Sequence, residues 1–241
     1  MKKFILSYLP FYALIIFFIS NMLAMIFYPG GTIQDSESVG YDFFRNFLSQ
    51  LGRTKAYLID DYGNQLSNLI SFRIWSSGMA VTGILFLIYY FHLPSFFKKK
   101  TAILGSFFAI ISSVCFIGTG ITPLDVIVHL SDRQGNILNT ISMFEMHVFF
   151  ANNIFYFAFP SALIYSYTIY NSKKINKVYG TGYYLFSFSL LIYIFILKFG
   201  PSPIDGVGEI IQATSQKIIA ILWVVSTAIL SFGIKKVMDA K

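Results

Sequence analysis

Two acid–imidazole pairs are the first residues in this chain that could do chemistry. Asp125 and His129 are four residues apart, and Glu145 and His147 are two apart. An imidazole beside a carboxylate can move a proton, and two imidazoles with carboxylates can hold a metal ion. The spacing matches no His-Glu-x-x-His pattern. Asp125, His129, Glu145 and His147 are therefore candidate acid–base groups, and His129 and His147 candidate metal ligands. No cofactor is implied. His92, in Phe91-His92-Leu93-Pro94, reads as an interfacial residue. Cys115 lies between Val114 and Phe116 and reads as apolar packing. As the one cysteine of the chain, it excludes an internal disulfide. A Gly-x-Ser-x-Gly nucleophile elbow is absent.

A second set suggests binding. Arg73, Lys198, Gln216 and Lys217 sit near the ends of apolar stretches, and Asn152 lies further in. Arginine matches phosphate geometry better than lysine does, so a phospholipid headgroup is a candidate ligand. Arg73 and Glu145 are expected to pair, because each would otherwise stand unpaired near hydrocarbon. Glu145, Phe149, Asn152 and Tyr156 recur at i, i+4, i+7 and i+11, which predicts one inward stripe. Arg73, Ser76 and Ser77 share a face in the same way. Deeper polar residues are small and uncharged, among them Asn21, Ser112, Ser113 and Asn153. That composition suits close helix packing more than a proton relay or an ion pump.

These residues must be positioned by membrane helices. The 241-residue chain is 56% hydrophobic and only 12% charged, with a mean hydropathy of +0.65. A soluble domain carries about 25% charged residues, so a soluble enzyme and a disordered chain are both excluded. Six apolar stretches reach the roughly 20 residues that a spanning helix needs. They lie at 4–28, 69–92, 102–121, 143–169, 178–199 and 212–234. The first is too long for a signal-peptide core and reads as a retained span. Trp75 and tyrosines near the span ends, including Tyr28, Tyr89, Tyr90, Tyr170, Tyr179 and Tyr193, read as aromatic belts.

Charge sorts between the connections. Lysines at 2–3, 98–100, 173–177 and 235–236, with Lys241, lie to one side with the single acid Asp239. All four arginines and the remaining acids lie to the other. The positive-inside rule then puts both termini in the cytoplasm, with the cell membrane as the expected address. The net charge of +7 is a topology signal rather than a nucleic-acid footprint. The lysine-side loops are short. Residues 29–68 form a long opposite loop, within which 41–51 has the apolar spacing of a short amphipathic helix stopped by Gly52. No strand is expected. Ile121-Thr-Pro-Leu-Asp125 and Pro201-Ser-Pro-Ile-Asp205 echo each other, as Pro and Asp favour helix stops and turns.

Tyr28-Pro-Gly-Gly, the run from Tyr41 to Thr54, Asn64, Ser67, Gly118-Thr-Gly-Ile-Thr-Pro-Leu-Asp125 and Gln216-Lys217 resemble an uncharacterised prokaryotic family of six-helix membrane proteins. That family carries a domain-of-unknown-function label and is similar to the FRAG/DRAM/Sfk-type membrane proteins. Asn46-Phe-Leu-Ser49 with Leu51-Gly52 is the most specific part, and Gln50 stands where Asp would be expected. The resemblance implies a fold and a membrane address, with no activity and no catalytic residues.

The expectation is an all-α, single-domain (1–241) transmembrane six-helix bundle with an amphipathic helix in its first extracytoplasmic loop. Its leading function is non-enzymatic: an outward polar cup binding a lipid headgroup, or a membrane-protein partner held through loop 29–68. A lipid hydrolase or transferase and a small-solute transporter are the alternatives.

Overall fold

The computed structural model describes residues 1–240; Lys241, counted above with the basic side, lies outside them. Among the described residues eight α-helices form: α1 (Lys2–Ser7), α2 (Leu9–Ile26), α3 (Leu69–His92), α4 (Pro94–Phe97), α5 (Lys100–Ile121), α6 (Met143–Tyr170), α7 (Val178–Phe199) and α8 (Gly206–Asp239). Six of them, α2, α3 with α4, α5, α6, α7 and α8, are long and apolar enough to cross a membrane. The chain is thus an all-α polytopic membrane protein. Its helices pack in chain order as a ring that closes between α8 and α2, and α8 touches α2 most sparsely.

Local chemistry sets the helix ends. α2 stops before Pro29-Gly30-Gly31, α5 before Pro123, and α7 before Gly200-Pro201. A residue preceding Pro disfavours the helical region, and Pro has no amide to donate. Between helices, small residues permit close approach. A Cβ on Gly78 would strike Ser20 of α2, and one on Gly118 would meet the Phe150 ring. Without a hydrophobic drive between helices in lipid, such close packing holds a bundle together.

One end of the bundle carries the lysine clusters, where Lys3 and Lys235 both pair with Asp239. The other end carries a roof and two β-hairpins. β1 (Lys55–Ile59) pairs antiparallel with β2 (Gln65–Ser67), and β3 (Ile127–Ser131) with β4 (Ile137–Ser142). These four strands correct the expectation of none. Their signal was in the sequence: Asp60-Asp-Tyr-Gly63-Asn64 and Asp132-Arg-Gln-Gly135-Asn136 are two copies of one turn. In each, the Asp carboxylate accepts amides two and four residues on, and the Asn side chain donates back to it. Gly63 and Gly135 take φ of 80° and 88°, which a side chain resists. The likeness continues at the same offset through Leu66 and Leu138 to Phe72 and Phe144. It ends at Trp75 and His147, whose rings stack 6.0 Å apart across the α3–α6 boundary.

The expected amphipathic helix at 41–51 is also corrected. Residues 42–46 form a turn, and only Leu48–Gly52 is helical, as a 3₁₀ segment. The cause is side-chain competition for backbone donors. Asn46 Oδ1 accepts the Asp42 amide at 2.8 Å, and Gln50 Oε1 accepts the Phe47 amide at 3.2 Å.

Candidate functional site

Residues 29–67 fold over the bundle as a roof, held by polar side chains from two sides. α8 supplies one side. Glu209 Oε1 accepts the Ile33 amide at 2.9 Å, Gln216 Oε1 accepts the Leu48 amide at 2.8 Å, and Lys217 Nζ donates to Asn46 O at 2.5 Å and Ala213 O at 3.1 Å. Positions 209, 213, 216 and 217 recur at helical spacing, so one face of α8 delivers all of these bonds. Lys217 is 3% exposed, with the Tyr41 and Phe43 rings 5.5 and 5.2 Å from its ammonium. Two carbonyls and two aromatic faces replace the water it gives up. The Tyr41 hydroxyl donates to the same Asn46 oxygen at 2.9 Å. Burial raises its pKa well above the ordinary value, so it stays protonated as a donor.

Asp125 supplies the other side. Its carboxylate accepts the Thr54 amide at 2.8 Å, the Thr54 hydroxyl at 3.0 Å and the Lys55 amide at 2.7 Å. Asn68 Nδ2 donates to Arg53 O at 2.9 Å. Inside the roof, Asn46 Nδ2 joins Gly31 O and Gln50 Oε1. Gly31 has a φ of 79° with Leu58 and Tyr57 of β1 against it, so a side chain there would collide with backbone.

Beneath the roof lies a cavity of about 60 Å³ bounded by all six spanning helices. Its walls are mainly apolar: Phe17, Phe116, Ile154, Phe155 and Trp223 among them. At the roof end it is lined by Asn21, Ser49, Trp75, Thr119 and Gln216, and no charged side chain lines it. Asn21 and Trp75 are 5% and 2% exposed. Asn21 Oδ1 and Trp75 Nε1 have no hydrogen-bond partner among the described residues. Ile219 borders both this cavity and a groove of about 190 Å³ between α7 and α8, lined by Ser189, Ile192, Tyr193 and Leu222 among others. A third space of about 20 Å³, the size of one water, lies deeper among Tyr90, Ser112, Ser113, Ser161 and Tyr183.

The residues singled out from sequence fall in different places. Gln216 lines the cavity and holds the roof, and Lys217 is sealed beneath the roof. Arg73 and Lys198 are exposed on α3 and α7. The expected Arg73–Glu145 ion pair is not formed. Among the described residues, ion pairs join only Asp239 to Lys3 and Lys235, and Asp42 to Arg45. The stripe assigned to α6 is rotated: Glu145 and Phe149 are exposed, while His147, Ile154, Ser161 and Tyr165 are buried. Asn152 is half-buried and, like Asn153, lines neither interior cavity.

The acid–base constellation is not assembled either. His129 is exposed on β3, with Nδ1 3.1 Å from the Thr140 hydroxyl. His147 is 1% exposed, and its Nδ1 lies 2.6 Å from Thr122 O. A carbonyl only accepts, so that nitrogen carries the proton. Asp125 is occupied by the roof. Among the described residues no three His, Cys, Asp or Glu side chains are grouped to hold a metal ion.

Sequence reading missed Glu209, Asn46, Asn21 and Trp75 as site residues. Trp75, with Tyr28, Tyr89, Tyr90 and Tyr193, is buried rather than in an aromatic belt. The buried α3 positions Met79, Thr82 and Phe86 follow Trp75 at i+4, i+7 and i+11, a periodicity that could have placed the indole inward.

A ring of six apolar helices closed at one end by a side-chain-clamped roof defines a polytopic integral membrane protein with an interior cavity. Residues 22–228 match the family described as protein of unknown function DUF998, and the chain belongs to that family. No curated protein and no solved structure matches it.

Proposed function

We propose that this protein binds a membrane lipid, non-enzymatically, with the lipid's polar end in the roofed cavity and its chain in the α7–α8 groove. The observation that carries this reading is the cavity itself: mainly apolar, polar at one end, free of charge, and adjoining a groove at hydrocarbon depth. Ligand sites are typically apolar hollows with a few placed polar groups. A groove facing a bilayer has acyl chains as its solvent, so a lipid chain is its natural occupant.

In this reading the roof faces outward and both termini lie in the cytoplasm of a cell-membrane protein, in keeping with the lysine clusters at the opposite end. A partner protein at the roof remains a second role for residues 29–68, supported by the exposed Phe43, Phe44 and Tyr62 side chains.

The test is native mass spectrometry of the protein released from nanodiscs of mixed natural lipid. One lipid class should be retained in excess of its share of the bilayer. Ala220→Phe, which fills the cavity from α8, should abolish that excess while the protein keeps its helical circular dichroism. Retention that mirrors bulk composition, or that survives cavity filling, would sink the proposal.

A further inference from the structure

We infer that the polar end of the ligand is uncharged and bears a hydroxyl group: the site takes a neutral lipid alcohol rather than a phospholipid or a fatty acid. This rests on the lipid-binding reading and names its ligand class.

Three observations lead there. The first is charge. None of the residues lining the cavity is ionisable at neutral pH. The cations that would greet a phosphate or carboxylate are elsewhere: Arg73 and Lys198 are exposed, and Lys217 is engaged by Asn46 O and Ala213 O. An ionised headgroup in this cavity would be desolvated without a counter-charge, which is prohibitive at low dielectric. The second is size. About 60 Å³ holds a few water-sized groups, enough for a hydroxyl and the first carbons behind it.

The third is the pattern of unpaired atoms. Asn21 spends its amide N–H on Phe17 O at 2.7 Å, which leaves Oδ1 as an unpartnered acceptor. Trp75 Nε1–H is an unpartnered donor. Gln216 has committed Oε1 to Leu48, so its free capacity is the amide N–H₂. Ser20 of α2 packs on Gly78 of α3, which sets Asn21 and Trp75 at nearly the same level, within about one helical turn. One acceptor and one donor without partners, in the lining of one cavity, is the complement of an alcohol. Its O–H can donate to Asn21 while its lone pair accepts from Trp75. A ketone, ester or ether supplies only the second bond. Sites built to satisfy both capacities of a hydroxyl reject analogues that lack it, because buried groups are then left unpaired.

The chain's two tryptophans, Trp75 and Trp223, both line the cavity, so its occupancy can be read directly. The experiment titrates nanodisc-embedded protein with three C16 probes brominated along the chain, a primary alcohol, its methyl ether and the carboxylate, and follows tryptophan quenching. The alcohol should saturate at least about tenfold below the other two. Asn21→Leu should reduce the alcohol's advantage over the ether to within about threefold while leaving the ether's own affinity in place. Trp75→Phe should do the same, read through Trp223. These variants are judged by the ratio between two probes in one preparation, so partial loss of stability does not imitate the result. Equal binding of alcohol and ether overturns the hydroxyl assignment and leaves lipid binding standing. Tightest binding of the carboxylate overturns it in favour of charge recognition. If no probe quenches more than in Ala220→Phe, the cavity reading itself falls.

Discussion

The turn at Asp60 and the turn at Asp132 share residue types, positive-φ glycines and hydrogen bonds, yet the hairpins they close stand in different surroundings. β1–β2 is built into the roof. Its Ala56 is fully buried, Leu58 and Leu66 are half-buried, and Leu58 and Ile59 donate to carbonyls of Gly30 and Ser36 on its outer edge. β3–β4 stands free. The positions matching those leucines, Leu130 and Leu138, are 45% and 71% exposed. A two-stranded hairpin alone is marginal in water. The comparison therefore separates what a turn sequence determines, which is local conformation, from what fixes a hairpin in place, which is distant side chains. Here those side chains are Asp125, Asn68 and the polar face of α8.

The largest test of this contrast removes Asp125. Asp125→Ala strips three donors of a charged acceptor, and charge-assisted bonds are worth about 1.5–3 kcal/mol each when broken singly. Since part of the loss is recovered by water at this half-buried site, a destabilisation of about 2–4 kcal/mol is expected. It should be measured by thermal unfolding in nanodiscs. Hydrogen exchange should then make β1–β2 as labile as β3–β4. If β1–β2 keeps its protection, fastening is not what distinguishes the two hairpins.

Lys217→Met sharpens the comparison by loosening the other side of the roof. Methionine keeps the apolar stem and removes the ammonium that joins Asn46 O. The expected cost is about 1–3 kcal/mol, since Tyr41 still serves that carbonyl. Exchange should rise at residues 41–48 and remain slow in β1–β2, which Asp125 still holds. Opening of the whole roof would mean that the two fastenings act as one unit.

How much of this was legible beforehand follows the same division. The six helices were readable because hydrocarbon demands long apolar runs and satisfied backbones, a one-dimensional signal. Gln216 and Lys217 were readable as polar residues at a span end. The role of Glu209 was not, because a carboxylate in the first turn of a helix ordinarily serves the helix dipole and faces water. Nothing near it in sequence announces Ile33. The same holds for Asp125, which looked like half of an acid–imidazole pair. Its partners, Thr54 and Lys55, come from the other side of α3. The helix at 41–51 fails for a local reason: the Asn46 and Gln50 side chains accept the backbone amides of Asp42 and Phe47, a competition that apolar spacing does not reveal.

Deleting the free hairpin should have a small effect. The amide of Met143 already bonds to Val126 O at 3.1 Å, so residues 127–142 can be replaced by a two-residue link without moving α5 or α6. The variant should unfold within about 1 kcal/mol of the parent, the range of surface changes away from buried features. It should bind the lipid probes as before. A larger loss would show that β3–β4 supports the Trp75–His147 contact from above.

Acid provides the mildest test, because it acts on both turns at once. Asp60 and Asp132 both have pKa values below the ordinary range. For Asp60 the leading cause is the Asn64 amide, and for Asp132 the Asn136 side chain. A carboxylate with a depressed folded-state pKa contributes stability that is present above its unfolded value, near 3.9, and lost as pH falls through the folded value. Both turns should therefore hold unchanged down to about pH 4 and loosen below it. The consequences should differ. Protonation of Asp132 loosens the turn of a hairpin otherwise held by its own ladder and the His129–Thr140 contact, so amide protection should fall along all of β3 and β4. Protonation of Asp60 should free only Tyr62 and Asn64, because Gly30 and Ser36 still bind the β1 edge. Asn136→Ala at neutral pH should loosen β3–β4 in the same direction, since it deletes the leading bond to Asp132, while Asn64→Ala should change β1–β2 little, because the Tyr62 and Asn64 amides still bind Asp60. Equal fraying of the two hairpins in acid would place their difference in the turns themselves, against the matching geometry they show.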